Sequence, residues 1–273
     1  MVVAPSRLVL TLCLCSAAAQ AQAATEPAQS PYYWERGEVR PFVSLAPALG
    51  AISSLEVAGG YGKPHWMWGG VEATALTSWE FGAVSAGPRL AFIVADLSLK
   101  RRQTWSYTHN FLPRLQAYDA DDVEDGGDES AVYGAWDLSL NGLVPTPIGV
   151  GLYELAGTFV DGVPPNRDLL EEWQRVVVRG NSIVVARAGF AFWLIEDELS
   201  AGVLGEWLSA EGRGQTWRLG PLVDWAATDH LSLSAVYTVP ISSPDDLGAW
   251  VGAWGTLRVR YAWASGEQQS RFP

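Results

Sequence analysis

Hydrophobic and polar positions alternate along most of this chain with a period of two. Near the C-terminus Leu257, Val259, Tyr261 and Trp263 share one parity, and Arg258, Arg260 and Ala262 share the other. Successive side chains of an extended strand point to opposite faces, so this segment has one apolar and one charged face. The pattern recurs upstream. Leu97, Leu99, Trp105 and Tyr107 oppose Asp96, Ser98, Lys100, Arg102, Thr104 and Ser106, while Val132, Trp136, Leu138 and Leu140 oppose Asp137, Ser139 and Asn141. Val184, Ala186, Ala188, Phe190, Phe192 and Leu194 oppose a face carrying Arg187. Trp217, Leu219, Val223 and Trp225 oppose Thr216, Arg218 and Asp224, and Leu231, Leu233, Ala235, Tyr237 and Val239 oppose Ser232, Ser234 and Thr238.

The alternation predicts strands near 39–50, 54–62, 66–78, 80–92, 95–108, 131–142, 148–160, 181–194, 199–210, 215–226, 231–240 and 248–263. That is about twelve, with ten or fourteen as alternatives because the register near 80–95 is the least marked. Every second connection is short and rich in turn residues: Gly62-Lys63-Pro64-His65, Val144-Pro145-Thr146-Pro147, Glu196-Asp197-Glu198 and Thr228-Asp229-His230. The other series includes two long loops, about 109–130 and 161–180. Short turns on one side and long loops on the other mark an up-and-down barrel.

Beyond the first residues no charge-free apolar run reaches the roughly 18 residues a spanning helix needs. Ile183–Ile195 comes nearest and contains Arg187. If the body of the chain lies in a membrane, it must do so as a closed sheet, which leaves no backbone group unpaired in lipid. At the start, Arg7 precedes the apolar run Leu8–Cys15, and small residues end in Ala21-Gln22-Ala23. This is the layout of a signal peptide, with cleavage expected after Ala23. The organisation expected is a signal peptide over 1–23, an N-terminal periplasmic segment over 24–37, a barrel over 38–264 and a tail over 265–273. Leu12 and Leu14 stand where a lipoprotein signal needs a small residue before Cys13 or Cys15, which argues against a lipid anchor. Those are the chain's 2 cysteines, so the remainder has no disulfide framework, thiolate metal site or thiol nucleophile.

Composition fits the same picture. A mean hydropathy of +0.07 lies between soluble proteins and helical membrane proteins. The 14 Trp are far more than a soluble domain needs, and Trp gathers where hydrocarbon meets water. A net charge of −12 without a basic stripe excludes nucleic acid as a partner.

Across nearly all of residues 38–264 this alternation resembles the outer-membrane β-barrel, or porin-like, superfamily of Gram-negative bacteria. The likeness is one of pattern. The aromatic ending of the family's last strand has its counterpart in Tyr261-Ala262-Trp263, although a tail from Ala264 to Pro273 follows it. The resemblance implies a single closed antiparallel transmembrane β-barrel in the outer membrane. It also implies contact with lipid, lipopolysaccharide and the barrel-assembly machinery. The alternative, a soluble β-sandwich or lipocalin-like barrel, would gather the bulky aromatics in a core and wet the charged face.

In the membrane reading the lumen face holds Glu56, Glu72, Asp96, Asp137, Glu154, Glu206 and Asp224, and also Arg89, Lys100, Arg102, Arg187, Arg218, Arg258 and Arg260. Two readings stay open. Opposed charges can line a water-filled passage for small polar solutes. They can equally pair across a narrow lumen and hold it shut, since an unpaired buried charge is costly.

The first long loop carries Asp119, Asp121, Asp122, Glu124, Asp125, Asp128 and Glu129, an oxygen-rich set that suits Ca²⁺ but lacks EF-hand spacing. No other cofactor is expected. In the second, Asn166 can cap a helix and Leu169, Leu170 and Trp173 share one helical side, which predicts a short helix on the barrel mouth or folded inward. No catalytic residue is assigned. The one Ser/His/acid neighbourhood is Ser106 with His109 beside the acidic loop, and it matches no hydrolase motif. The functions expected are a passive channel for small polar solutes or a non-conducting barrel that binds through acidic outer loops.

Overall fold

The computed structural model describes residues 38–64, 66–125, 130–228 and 230–265. The expected signal peptide, the N-terminal segment and residues 266–273 of the tail lie outside them, as do His65, Asp128, Glu129 and Asp229.

The wall is built from β1 (Arg40–Gly50), β2 (Ser53–Lys63), β3 (Met67–Thr77), β4 (Phe81–Phe92), β5 (Ala95–His109), β7 (Ser130–Thr146), β8 (Gly149–Asp161), β11 (Ser182–Ile195), β12 (Leu199–Ala210), β13 (Gly214–Ala226), β14 (Leu231–Ser242) and β15 (Trp254–Tyr261). A two-residue piece, β16 (Trp263–Ala264), continues β15 past Ala262. Neighbours pair antiparallel in the order β15-β14-β13-β12-β11-β8-β7-β5-β4-β3-β2-β1, and β15 and β16 return to β1, so the sheet closes on itself. With β15 and β16 as one interrupted strand, this is a twelve-stranded closed barrel. Closure leaves no free edge. The seam is the shortest ladder, joined by Ala48, Leu49 and Gly50 to Arg260, Val259 and Arg258, and by Ser44 and Leu45 to Ala264 and Trp263.

Between the long loops three short strands, β6 (Phe111–Pro113), β9 (Arg167–Glu171) and β10 (Val176–Val178), form a second sheet in the order β10-β9-β6. Two short helices accompany it, α1 (Ala120–Asp125) in the first long loop and α2 (Gly248–Val251) between β14 and β15. These elements gather at the loop end of the barrel. The opposite, turn end has only brief connections.

Two local expectations are corrected. The stretch from Asn166 is a β-hairpin, β9–β10, rather than a helix. Asn166 has φ 67°, the left-handed turn conformation that Asn tolerates, and does not cap a helix. A helix would bury one side, whereas here both sides are covered. Leu169 packs with Phe111, Tyr133 and Val160 towards the wall. Leu170 joins Leu112, Tyr118, Val177, Leu247 and Val251 among the loops. Alternate residues facing two buried layers is strand geometry. The last wall strand starts at Trp254 rather than 248, because Leu247 and Val251, four apart on a helical turn, reach into the same loop cluster.

Around the wall one parity is exposed and apolar. Leu138, Leu155, Val184, Val203, Leu219 and Leu257 form an aliphatic middle. Trp79, Tyr107, Trp136, Trp217 and Trp250 are exposed towards the loop end, and Tyr61, Trp225, Tyr261 and Trp263 towards the turn end. The exposed face alternates with one of small and charged residues.

Candidate functional site

The fourteen charged residues named above lie on that second face and sort into three ion-pair networks and a remainder. In the first, fully buried Glu72 pairs with both Arg89 and Lys100, and Arg89 also holds Asp96 at 2.7 Å and Glu56 at 3.1 Å. In the second, Arg102 binds Asp137 at 2.7 Å. In the third, Glu206 bridges two cations, Arg187 at 2.5 Å and Arg218 at 2.5 Å, and Arg187 adds Glu154 at 2.8 Å. Asp224 makes no ion pair among the described residues, Arg258 bonds only the Ser234 hydroxyl at 3.1 Å, and Arg260 stands 3.8 Å from Glu56.

The β9–β10 hairpin drops into this charged interior. Its tip, residues 171–175, turns with Arg175 at φ 54° and the Arg175 amide donating to the Glu171 carbonyl at 2.8 Å. Three arginines from the wall hold it. Arg102 donates to the Glu171 carboxylate at 2.7 Å. Arg187 donates to the Gln174 side-chain oxygen at 2.7 Å. Arg218 donates to the backbone carbonyls of Gln174 at 2.9 Å and Arg175 at 2.7 Å. The tip's own cation, Arg175, binds Glu80 at the barrel rim at 2.6 Å and the Val251 carbonyl at 3.1 Å. Glu171, Glu172 and Gln174 are buried. Burial raises the Glu172 carboxyl above its ordinary range, against the lowering effect of the Asn110 amide and of Arg175.

Above the tip the loops lock to one another. Asp168, with no exposed surface, accepts from Arg179 at 2.8 Å and from the Tyr118 hydroxyl at 2.8 Å, and pairs with Arg114 at 3.4 Å. Burial, with Asp168 beside it, pushes the Tyr118 phenol up to about 12. Arg213 pairs with Asp245 and lies 4.8 Å from the centre of the Tyr118 ring. The shared cluster of Leu112, Tyr118, Val123, Leu170, Val177, Leu247 and Val251 makes this cap a small hydrophobic unit across the mouth.

Below the tip, a cavity of about 570 Å³ occupies the turn end, lined by Phe42, Trp68, Arg89, Asp96, Arg258 and Arg260 among others.

In the acidic loop, Asp119 and Asp122 serve the start of α1. Asp119 accepts the Asp122 amide at 2.8 Å and Asp122 accepts the Asp119 amide at 3.1 Å, a reciprocal cap. Asp121 and Glu124 are exposed, and the side chain of Asp125 is outside the described part. Among the described residues no group of three or more His, Cys, Asp or Glu is placed to hold a metal ion. Ser106 donates to Asn110 at 2.5 Å inside the lumen, and the His109 side chain is not among those described.

Sequence reasoning did not single out the hairpin residues that meet the wall and the loops: Glu171, Glu172, Gln174 and Arg175 at the tip, and Asp168 above it. A signal for them existed. Val176-Val177-Val178 is a β-branched run, and with Asp168–Glu171 it brackets a polar turn, which is a hairpin pattern. It also missed Arg101, which points outward near the loop end, 5.6 Å from the centre of the Trp136 ring, and pairs with Asp161 at 2.5 Å.

No protein-family profile matches the chain, and no curated protein matches it. Among solved structures, the barrel is similar to the KdgM porin in complex with disordered oligogalacturonate (5% identity, TM-score 0.40, covering 81% of this chain and 99% of that one). It is also similar to the β domain of the Bordetella autotransporter BrkA (15% identity, TM-score 0.38, 82% and 98%). A third is the NanC porin (7% identity, TM-score 0.36, 83% and 99%).

Proposed function

We propose that this chain is a transmembrane β-barrel of a Gram-negative outer membrane whose passage is held shut by its own inward hairpin. One observation carries the reading: Arg102, Arg187 and Arg218, on three different wall strands, all bond the same five-residue tip. Moving the tip out would leave these cations with fewer partners in a poorly hydrated lumen, which favours the closed form. The membrane half of the proposal is supported by the exposed wall. An aliphatic middle with aromatic residues towards both ends suits hydrocarbon flanked by two interfaces. In water an apolar surface of that extent would drive association.

The full chain, reconstituted in planar bilayers, tests the reading. The unmodified protein is expected to give no conductance steps at low voltage. A variant in which Gly-Gly replaces residues 172–175 is expected to conduct. Steps of equal size from both proteins would overturn it. A second reading is favoured by the two-signed lumen and the cavity beneath the plug: a facilitator for small polar solutes that conducts when the hairpin withdraws. A disulfide tying the tip to the wall would then abolish solute-driven liposome swelling, and reduction would restore it. Swelling unaffected by the lock would count against that reading.

A further inference from the structure

The lumen does not pair its cations evenly. Arg89, Arg102, Arg187 and Arg218 each hold a carboxylate at 2.7 Å or less. Arg258 and Arg260 do not. They stand two residues apart on one face of β15, and both line the turn-end cavity. Arg258 donates to a neutral hydroxyl, that of Ser234, at 3.1 Å. The carboxylate nearest Arg260 is Glu56 at 3.8 Å, and Glu56 already accepts from Arg89 at 3.1 Å. The other carboxylates lining the cavity wall are also committed, Asp96 to Arg89 and Glu154 to Arg187. Asp197 lies in the turn at the rim. Asp224 sits in the same row as Arg258 with Ser234 between them, and is a second counter-charge to both arginines but makes no ion pair with either. Two guanidiniums side by side, with no carboxylate among the described residues closer than 3.8 Å, leave unused donors directed at an open volume.

That volume has the character of a small-molecule site. About 570 Å³ is within the usual range for such pockets, and the walls combine apolar surface with a few convergent polar groups. Phe42 and Trp68 pack edge to face with ring centres 5.2 Å apart, a stiff apolar wall. Arginine forks match the two oxygens of a carboxylate, so an anion there gains paired, charge-assisted hydrogen bonds and relieves the repulsion between the cations.

We propose that the turn-end cavity binds a small organic carboxylate, its charged end held by Arg258 and Arg260 and its apolar or ring-shaped body against Phe42 and Trp68. This does not depend on whether the barrel conducts.

The test is calorimetric titration of the full, detergent-solubilised protein with three probes: benzoate, uncharged benzamide, and inorganic phosphate as an anion without an apolar body. Benzoate is expected to bind saturably, and less tightly as salt rises. Benzamide and phosphate should each bind about tenfold or more weakly, and the Arg258→Gln/Arg260→Gln double variant should lose benzoate by a similar factor. Heat-modifiable mobility in electrophoresis reports that the variant is folded. If it does not fold, Arg258→Lys, which keeps the charge and loses the fork, should weaken benzoate several-fold. No saturable benzoate binding, benzamide or phosphate binding as tightly as benzoate, or unchanged affinity in a folded arginine variant would each overturn the proposal.

Discussion

Glu206 accepts from two arginines while only 1% of it is exposed, and both arginines reach on to the hairpin. Removing the carboxylate leaves two buried cations without their common partner, and Arg218 already has a buried Nε with no acceptor. Glu206→Leu should therefore cost about 3–5 kcal/mol, read from urea unfolding of the refolded barrel, with Glu206→Gln costing less because an acceptor oxygen remains. Glu172 gives a pH signature. Burial raises its carboxyl, and nearby Glu80 and Glu171 add to that while Asn110 and Arg175 oppose it. A folded-state pKa above the unfolded value, ordinarily about 4.3 for Glu, means the native hairpin prefers the protonated form. Its contribution to stability is complete below the unfolded pKa and is lost as pH rises through the folded one. Hydrogen-exchange protection over residues 170–178 should fall along that rise, and Glu172→Gln should flatten the dependence. An equal slope in the variant would place the titrating group elsewhere.

At the scale of elements, the wall strands were legible and the loop elements were not. The wall strands run from 8 to 17 residues, and most repeat a local, two-residue pattern for long enough to exclude helical spacing. The hairpin strands are three and five residues long, and Leu169-Leu170 fits both periods. What decides between them is that both sides are covered, one by the wall and one by α2 and β6, and those partners lie far away in the chain. The same reason hides α2. Asp168 shows how the cap holds, since one carboxylate ties β9 to Arg114, Tyr118 and Arg179. Asp168→Ala should speed tryptic cleavage after Arg114 and Arg179 by about tenfold, as a charge-assisted bond is lost, while the barrel stays heat-modifiable. Cleavage at the unmodified rate would mean the hydrophobic cluster alone secures the cap.

Over the whole molecule the charges divide between two settings. The lumen networks nearly cancel, while Asp119, Asp121, Asp122 and Glu124 of the first long loop stay at the loop end. The wall between them is apolar on its outer side, and a charge placed there should be tolerated in water and penalised in lipid. Leu138→Arg, at the middle of β7, should lower folding stability in phospholipid vesicles by about 2–4 kcal/mol. A loss under half of that would argue that this face does not meet hydrocarbon.

Along one chain, a period of two can specify strands, the face that carries charge and, through turn spacing, a closed barrel of about twelve, because each of these is set by neighbours a few residues apart. Whether the charged interior is a passage or a plug depends on Arg102 meeting Glu171, and on Arg187 and Arg218 meeting Gln174 and Arg175. Those contacts join a loop to wall strands up to sixty-nine positions distant. No local pattern encodes such a distance. It exists only once the sheet has closed and given the hairpin a lumen to enter.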